Sequence, residues 1–538
     1  MTTTEAPLAG RREWIGLGVL AIACLLYAMD LTVLHLAVPS ISAQLQPTSA
    51  QLLWIIDIYG FMVAGFLITM GTLGDRIGRR RLLMIGATAF GASSVLAAFS
   101  TSAEMLIVSR ALMGVAGATL APSTLSLIFN MFRDPRQRAT AIGVWIAAFS
   151  AGGAIGPVVG GVLLERTWWG SVFLLAIPVM GLLLVLGPRV LPEYRDPDAG
   201  RLDLVSALMS LVAVLAVIYG LKQIAQDGLG AVPVGAVVMG VVVGVLFVRR
   251  QRRLADPMID LALFRIRAFN AALATNFLAI FVAVGYFLFV AQYLQLVLGL
   301  SPFEAGLWSL PSAFGFIIGS QLAPRIVRRF RAATVIAASL LVAAAGLALL
   351  SQAGARDGLV LVVVSSLVIS LGLAPVFGLT TELVVGSAPQ ERAGAASGIS
   401  EAGSELGGAL GIAILGTVGV AIYRGRVGDA LPPELPPEVA ATARDTLGGA
   451  VAAAQQLPDA VGAAVLEVAR RAFVDGMQLT STVAAVAAVA VAILSGVTLR
   501  DVPTGEAREA AAEERGGGQG DTADESRIGP ASASPTCS

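Results

Sequence analysis

The 538 residues predict an all-α membrane protein of about fourteen transmembrane helices. Three observations carry this. Hydrophobic residue types make up 56% of the chain and charged types only 13%, with a mean hydropathy of +0.81, whereas a soluble domain carries roughly a quarter charged residues. Apolar stretches of about 18 residues or more, the length that crosses a hydrocarbon core of roughly 30 Å, recur along the chain. They fall at about 14–38, 52–73, 82–100, 104–129, 139–163, 171–190, 203–222, 231–248, 270–298, 303–323, 332–351, 358–385, 394–422 and 476–498. The connecting charges then alternate. With a cytoplasmic N-terminus, that terminus and the even-numbered loops hold 23 Arg, counting Arg189 at the end of the sixth span, while the short odd-numbered loops hold Arg166 and Arg356, with Lys222 at the end of the seventh span. A missed or invented span would scramble this positive-inside asymmetry.

Composition excludes several function classes. The 36 basic and 36 acidic residues balance, which argues against a nucleic-acid partner. His35 is the only histidine, and Cys24 and Cys537 are the only cysteines, so no metal-ligand cluster, disulfide framework or Ser-His-Asp triad is expected. No nucleotide or cofactor motif is present, and the chain is not expected to be an enzyme. The first apolar segment follows Arg11 and Arg12 and is too long for a signal h-region, so it reads as a retained span.

The organisation follows from the spans. Residues 1–13 form a cytoplasmic N-terminus, 14–190 a first six-helix bundle, 191–269 two extra helices with cytoplasmic linkers, and 270–498 a second six-helix bundle. The second bundle includes a long extracellular loop, 423–475, with one or two short surface helices expected after its Pro-rich start; 499–538 is a disordered cytoplasmic tail. A weak repeat supports two halves: Leu73, Arg76, Ile77, Arg79 and Arg80 recur as Leu322, Arg325, Ile326, Arg328 and Arg329. Transporters are often built from such repeats, with the binding site between them.

Four motifs stand in order. Loop two reads Gly71-Thr-Leu-Gly-Asp75-Arg76-Ile-Gly78-Arg79-Arg80-Arg81. Helix four carries Arg110, Gly114 and Gly117, and helix five carries Gly152-Gly-Ala-Ile-Gly156-Pro157-Val-Val-Gly160-Gly161. Helix one reads Met29-Asp30-Leu-Thr32-Val-Leu-His35-Leu-Ala37-Val-Pro39. Together these resemble the signatures of the major facilitator superfamily, in its fourteen-helix drug:proton antiporter branch. The resemblance runs from about residue 14 to 498. It implies two six-helix bundles of the major facilitator fold with two inserted central helices, and the helix-five element implies antiport.

Physical readings accompany the motifs. Glycines in loop two permit a tight turn. Asp75 can pair with Arg or sit at a helix N-terminus and so hold the halves in one state; the plainer alternative is a generic basic loop. In helix five, Gly152, Gly156 and Gly160 form one small face, and Gly153, Pro157 and Gly161 a second, which allows close helix approach. Pro157 removes a backbone bond and bends the helix, whether as static packing or as a moving part.

Charges inside the spans are the sharper clue, since each costs on the order of 3 kcal/mol or more at bilayer centre. Asp30 lies about 13 Å from the outer end of helix one, with Arg110 at a comparable depth in helix four. The two are expected either to couple a proton or to form a static pair. Asp57, with Trp54 and Phe61 on its face, suits a lipophilic cation; the alternative is an interfacial aromatic belt around a solvated acid. Glu401 and Glu405 lie one turn apart and either hold a proton or stabilise packing. Glu104 and Glu382 lie near helix ends and are read as solvated. His35 could relay protons five residues from Asp30, but that spacing does not put it on the same face, so packing is the preferred reading. Unlike some family members that export divalent cations, the Leu310-Pro-Ser-Ala-Phe-Gly315 segment carries no acid.

The expected function is proton-driven export, without a cofactor, of small lipophilic, often cationic, drugs or antibiotics across the cytoplasmic membrane by a monomer with both termini inside. A dedicated exporter of one metabolite and a non-transporting receptor or scaffold are the alternatives. A scaffold has no use for buried carboxylates.

Overall fold

The computed structural model describes residues 8–195, 203–227, 230–254, 257, 261–356, 358–387, 393–433 and 435–500. The side chains of Asp75, Lys222 and Glu405 lie outside the described residues, as does the tail expected from 501 to 538. Every regular element among the described residues is helical. A lipid-facing backbone must satisfy its own polar groups, and the helix does so within one segment.

In chain order the long helices are α1 (Arg11–Leu45), α2 (Ser49–Ile77), α3 (Arg79–Ala98), α4 (Ala103–Met131), α5 (Pro135–Arg166), α6 (Ser171–Val190), α7 (Leu204–Asp227) and α8 (Ala231–Gln251). There follow α9 (Arg267–Val297), α10 (Leu310–Val327), α11 (Ala332–Leu350), α12 (Leu359–Ser387), α13 (Ala393–Gly411, continuing through Ile412–Gly416 and Thr417–Ala430) and α14 (Asp459–Thr498). Local chemistry starts several of them. Thr48 accepts from Gln51 N and Gln51 answers by accepting from Thr48 N; Asp134 accepts from Gln137 N at 2.9 Å ahead of Pro135.

Twelve of the described helices are long and apolar enough to cross a membrane. Two more, α7 and α10, stand where the sequence places its seventh and tenth spans. Among its described residues, α7 carries the shorter apolar stretch Leu204–Val217. The tenth span is split into Pro302–Trp308 and α10, with the break at Ser309 ahead of Pro311. The fourth is likewise interrupted, between Gly117 and Leu120. The segment read as a loop over 423–475 is largely helical: α13 runs on to Ala430, short helices cover Pro437–Asp445 and Leu447–Ala454, and α14 already begins at Asp459.

The helices form two bundles. In the first, α1 packs on α5 and α6, α2 on α4, and α3 on α4 and α6; in the second, α9 packs on α12, α13 and α14, and α11 on α12 and α14. The bundles meet along three seams: α2 with α13, α1 with α9, and α5 with Pro302–Trp308 and α10. Between them in sequence, α7 and α8 make an antiparallel hairpin. A Cβ on Gly220 would stand 2.5 Å from Pro233 O and one on Gly240 2.7 Å from Ala213 O, so only glycine admits this approach. At one end the hairpin is tied by Arg250, whose Nη2 and Nε lie 2.9 and 3.1 Å from the two Asp203 oxygens. Its α7 face lies over the α2–α13 seam, where Leu211 meets Gly65 and Val214 and Leu215 cover Ile58, Phe61 and Ala413.

Candidate functional site

Two charges buried inside the first bundle form one pair. Arg110 Nη1 donates to Asp30 Oδ2 at 2.6 Å, with the side chains 1% and 9% exposed. Packing sets the geometry. A Cβ on Gly114 would stand 2.5 Å from Tyr59 O, so α4 presses on α2 and brings the guanidinium over the Tyr59 ring, 4.5 Å from its centroid. The Phe173 ring of α6 lies on it as well, at 5.8 Å. The pair is enclosed within the first bundle.

The two small faces of α5 have different partners. Gly152, Gly156 and Gly160 pack on α1 against Leu25, Thr32 and Val33, on either side of Asp30. Gly161 packs on Pro302 and Phe303, and Pro157 on Gly306, which joins the two bundles. Gln295 Nε2 donating to Leu36 O at 3.1 Å and Ser49 Oγ donating to Asp445 O close the same end of the molecule.

Just beyond this closure lies a cavity of about 350 Å³ between the bundles. Phe149, Gly153 and Pro157 of α5 line it, with Thr32 and His35 of α1, Tyr286 and Phe287 of α9, Ser312, Phe316 and Ile317 of α10, and Ser370 of α12. Tyr286 Oη donates to Ser312 Oγ at 3.2 Å, and Ser312 Oγ lies 2.7 Å from Ser370 Oγ. The wall is therefore aromatic with a hydroxyl cluster, and it carries no charged side chain among the described residues.

His35 is thus a wall residue of the cavity rather than the packing residue expected, and its Nδ1 has no hydrogen-bond partner among the described residues. Trp54, Asp57 and Phe61 share a face, with the two rings 5.9 Å apart, but that face is buried in the α2–α13 seam under α7, and Asp57 is 1% exposed. None of the three lines the cavity. Glu401 lies half-buried on α13, one residue on from Ser400. Nearby, Asn276 donates to Ser404 at 2.8 Å and Thr380 donates to Asn276 at 3.0 Å, tying α9, α12 and α13 together. Glu104 accepts from Gln51 at 2.6 Å, and Glu382 is exposed.

Loop two is held by the segment after α6. Gly71 stands in open space, Arg76 is half-buried and Arg79 is buried. Arg79 N donates to Tyr194 O at 2.9 Å and Arg80 N to Glu193 Oε1 at 3.1 Å. Gly78 takes a φ of +109°, and a Cβ there would stand 2.4 Å from Glu193 Oε1. Glu193 therefore supplies the N-terminal cap that α3 lacks locally, and it also pairs with Arg80 at 3.4 Å. Glu193, Tyr286, Ser312 and Ser370 were not singled out in the sequence. The only sequence signal for the last three is a hydroxyl in an otherwise apolar span.

The sequence profile described as Major Facilitator Superfamily matches residues 20–412. The chain is similar to the multidrug efflux pump LfrA of Mycolicibacterium smegmatis, at 43% identity over 93% of this chain and 98% of that protein. It is similar also to the methyl viologen resistance protein SmvA of Salmonella typhimurium, at 37% identity over 86% of this chain and 93% of that protein. Among solved structures, a bacterial homolog of the human lysosomal transporter Spinster superposes with a TM-score of 0.66, at 19% identity, covering 91% of this chain and 98% of that one.

Proposed function

Because the chain belongs to the Major Facilitator Superfamily, we propose that it exports lipophilic, often cationic, drugs or antibiotics across the cytoplasmic membrane in exchange for protons. The observation that carries this reading is the Asp30–Arg110 pair, buried beside a 350 Å³ cavity that is aromatic and uncharged. The cavity suits a lipophilic molecule that binds by area and by cation–π attraction. A buried carboxylate paired with arginine is costly to retain for packing alone, and it can exchange a proton as the bundles rearrange.

In this reading α7 and the split tenth span bring the twelve crossings to fourteen, both termini are cytoplasmic, and the monomer needs no cofactor. The arginine-rich end that contains loop two faces the cytoplasm. Asp75, Arg76 and Arg79, with Gly71 and Gly78 at the turn, hold the halves in one state, and the bend at Pro157 lets α5 move. Alternating access then rocks one bundle against the other around the cavity. Glu401 and Glu405 are second candidates for the proton.

Reconstitution tests this directly. Proteoliposomes should concentrate a labelled lipophilic cation against its gradient when a pH difference is imposed, and stop when it is collapsed by an ionophore. Uptake indifferent to the pH difference would overturn proton coupling. A susceptibility panel in an efflux-deficient host should return many unrelated compounds, and a single compound would mean a dedicated exporter.

A further inference from the structure

One side chain of the cavity wall is of a type that gains a charge near neutral pH. His35 is the chain's only histidine, and it stands in the wall on α1 one turn from Thr32. The Thr32 hydroxyl donates to Met29 O at 3.1 Å. Nδ1 of His35, in contrast, is buried with no hydrogen-bond partner among the described residues. An imidazole so placed can take up a proton without giving up a bond to its neighbours.

Among the described residues, no acid of the wall faces it. Around the cavity α5 presents Phe149, Gly153 and Pro157, α10 and α12 present serine hydroxyls and apolar side chains, and α9 presents Tyr286, whose phenol donates to Ser312. Arg110 of α4 is within electrostatic reach, but it is paired with Asp30 at 2.6 Å inside the first bundle. An imidazolium at position 35 therefore presents its charge to whatever the cavity holds. A sphere of 350 Å³ is about 9 Å across, so a bound cation lies within roughly one Debye length of the ring wherever it sits. Little water separates the two, and like charges at that range repel.

His35 also stands directly under the closed end. The next residue, Leu36, accepts from Gln295 Nε2 at 3.1 Å, and one turn further on Pro39 and Ser42 seat Gly448 of the short helix Leu447–Ala454. When this closure opens, His35 is among the first wall residues to meet outside water. We propose that His35 is the release switch for cationic cargo: neutral while the cavity loads from the cytoplasm, it takes a proton from the more acidic outside once the closure opens, and the new charge drives the cation out and bars its return. The proton adds to the free ring nitrogen and leaves again when the cavity next opens to the cytoplasm. This rests on the export reading and adds a proton site separate from Asp30. The two sites differ in kind. Protonating a carboxylate removes an attraction, whereas protonating His35 adds a repulsion that acts on cations and spares neutral cargo.

The test measures equilibrium binding of ethidium, a permanent cation, and of Nile red, a neutral dye, to the purified full chain at about pH 7.5 and about pH 5.5. For an imidazole that titrates near about 6.5, mutually exclusive binding of proton and cation weakens ethidium by about tenfold across that step. In His35→Asn the same step should change ethidium affinity by less than about twofold, and Nile red should show no step in either protein. A wild-type step that persists undiminished in His35→Asn would place the titrating group elsewhere and overturn the proposal. Absence of the step in wild type would overturn it as well.

A second variant fixes the charge. His35→Arg should bind ethidium at about pH 7.5 about tenfold more weakly than wild type, matching wild type at about pH 5.5, while Nile red still binds and shows that the cavity survives. Ethidium held as tightly as by wild type would mean that a positive charge at this position does not repel cargo, and would overturn the switch. A wild-type chain that binds neither dye at either pH and moves no lipophilic cation would instead overturn the export reading.

Discussion

Arg110 holds Asp30 across 2.6 Å inside the first bundle, with Tyr59 and Phe173 packed on its guanidinium. Asp30→Asn keeps an acceptor for Arg110 but has no exchangeable proton. The variant should therefore exchange substrate down its gradient and ignore an imposed pH difference. Accumulation equal to wild type would transfer the coupling role to Glu401 and Glu405. Arg110→Ala leaves the carboxylate buried without its partner and should destabilise the fold by about 3–5 kcal/mol, read as a lower melting temperature in detergent.

Gly78 and Glu193 make a second tight relationship. At φ +109° an L side chain is strained, and a Cβ would meet Glu193 Oε1. Gly78→Ala should cost about 1–3 kcal/mol, and Glu193→Ala about 1 kcal/mol through the lost cap of α3. Because part of the alanine penalty is the clash, the double variant should cost less than the two singles together. Strict additivity in thermal melts would show that Glu193 does not press on this turn.

How far the sequence carried is clearest around α1 and α5. Asp30 and Arg110 were legible because a charge in an apolar span is rare, and the two small faces of α5 because glycine recurs every fourth residue. His35 was misread through the same arithmetic. Five residues of helix turn it well away from the Asp30 face, and the face it reaches is the cavity. The grouping of Trp54, Asp57 and Phe61 was correct as a face. In a helix apolar nearly all round, though, periodicity does not say which face meets a partner, and α7 covers this one. The Glu193 cap bridges 113 residues and leaves no local trace.

The hairpin tie titrates at low pH. Partial burial of Asp203 works to raise its carboxyl, but the hydrogen bonds from Arg250 and Ser206 prevail and bring it from 3.8 down to about 2. A depressed carboxyl contributes stability that is complete above its unfolded value and is lost as pH falls through its folded value. The melting difference between wild type and Asp203→Asn should therefore be constant above about pH 4 and shrink between about 4 and 2. A constant difference across that window would mean the pair contributes nothing through its charge.

The cavity makes the last prediction, about selectivity. Its wall offers two kinds of attraction, the rings of Phe149, Phe287 and Phe316 and the polar atoms of His35, Tyr286, Ser312 and Ser370. A cation lying on aromatic faces gains about 0.5–2 kcal/mol without any carboxylate. A ligand that carries hydroxyl or carbonyl groups can also use the polar atoms, each worth about 0.5–1.5 kcal/mol. Tyr286→Phe removes one such group while leaving the ring and the Ser312–Ser370 contact in place, and His35→Leu removes another at similar volume. Each should weaken binding of hydroxyl-rich aromatic antibiotics by about 1 kcal/mol, roughly fivefold, and leave ethidium or tetraphenylphosphonium within about twofold of wild type. Phe316→Leu should do the reverse, since it keeps the volume and loses the ring. Parallel losses for both ligand classes in all three variants would mean that these residues hold the helices in place and do not touch cargo.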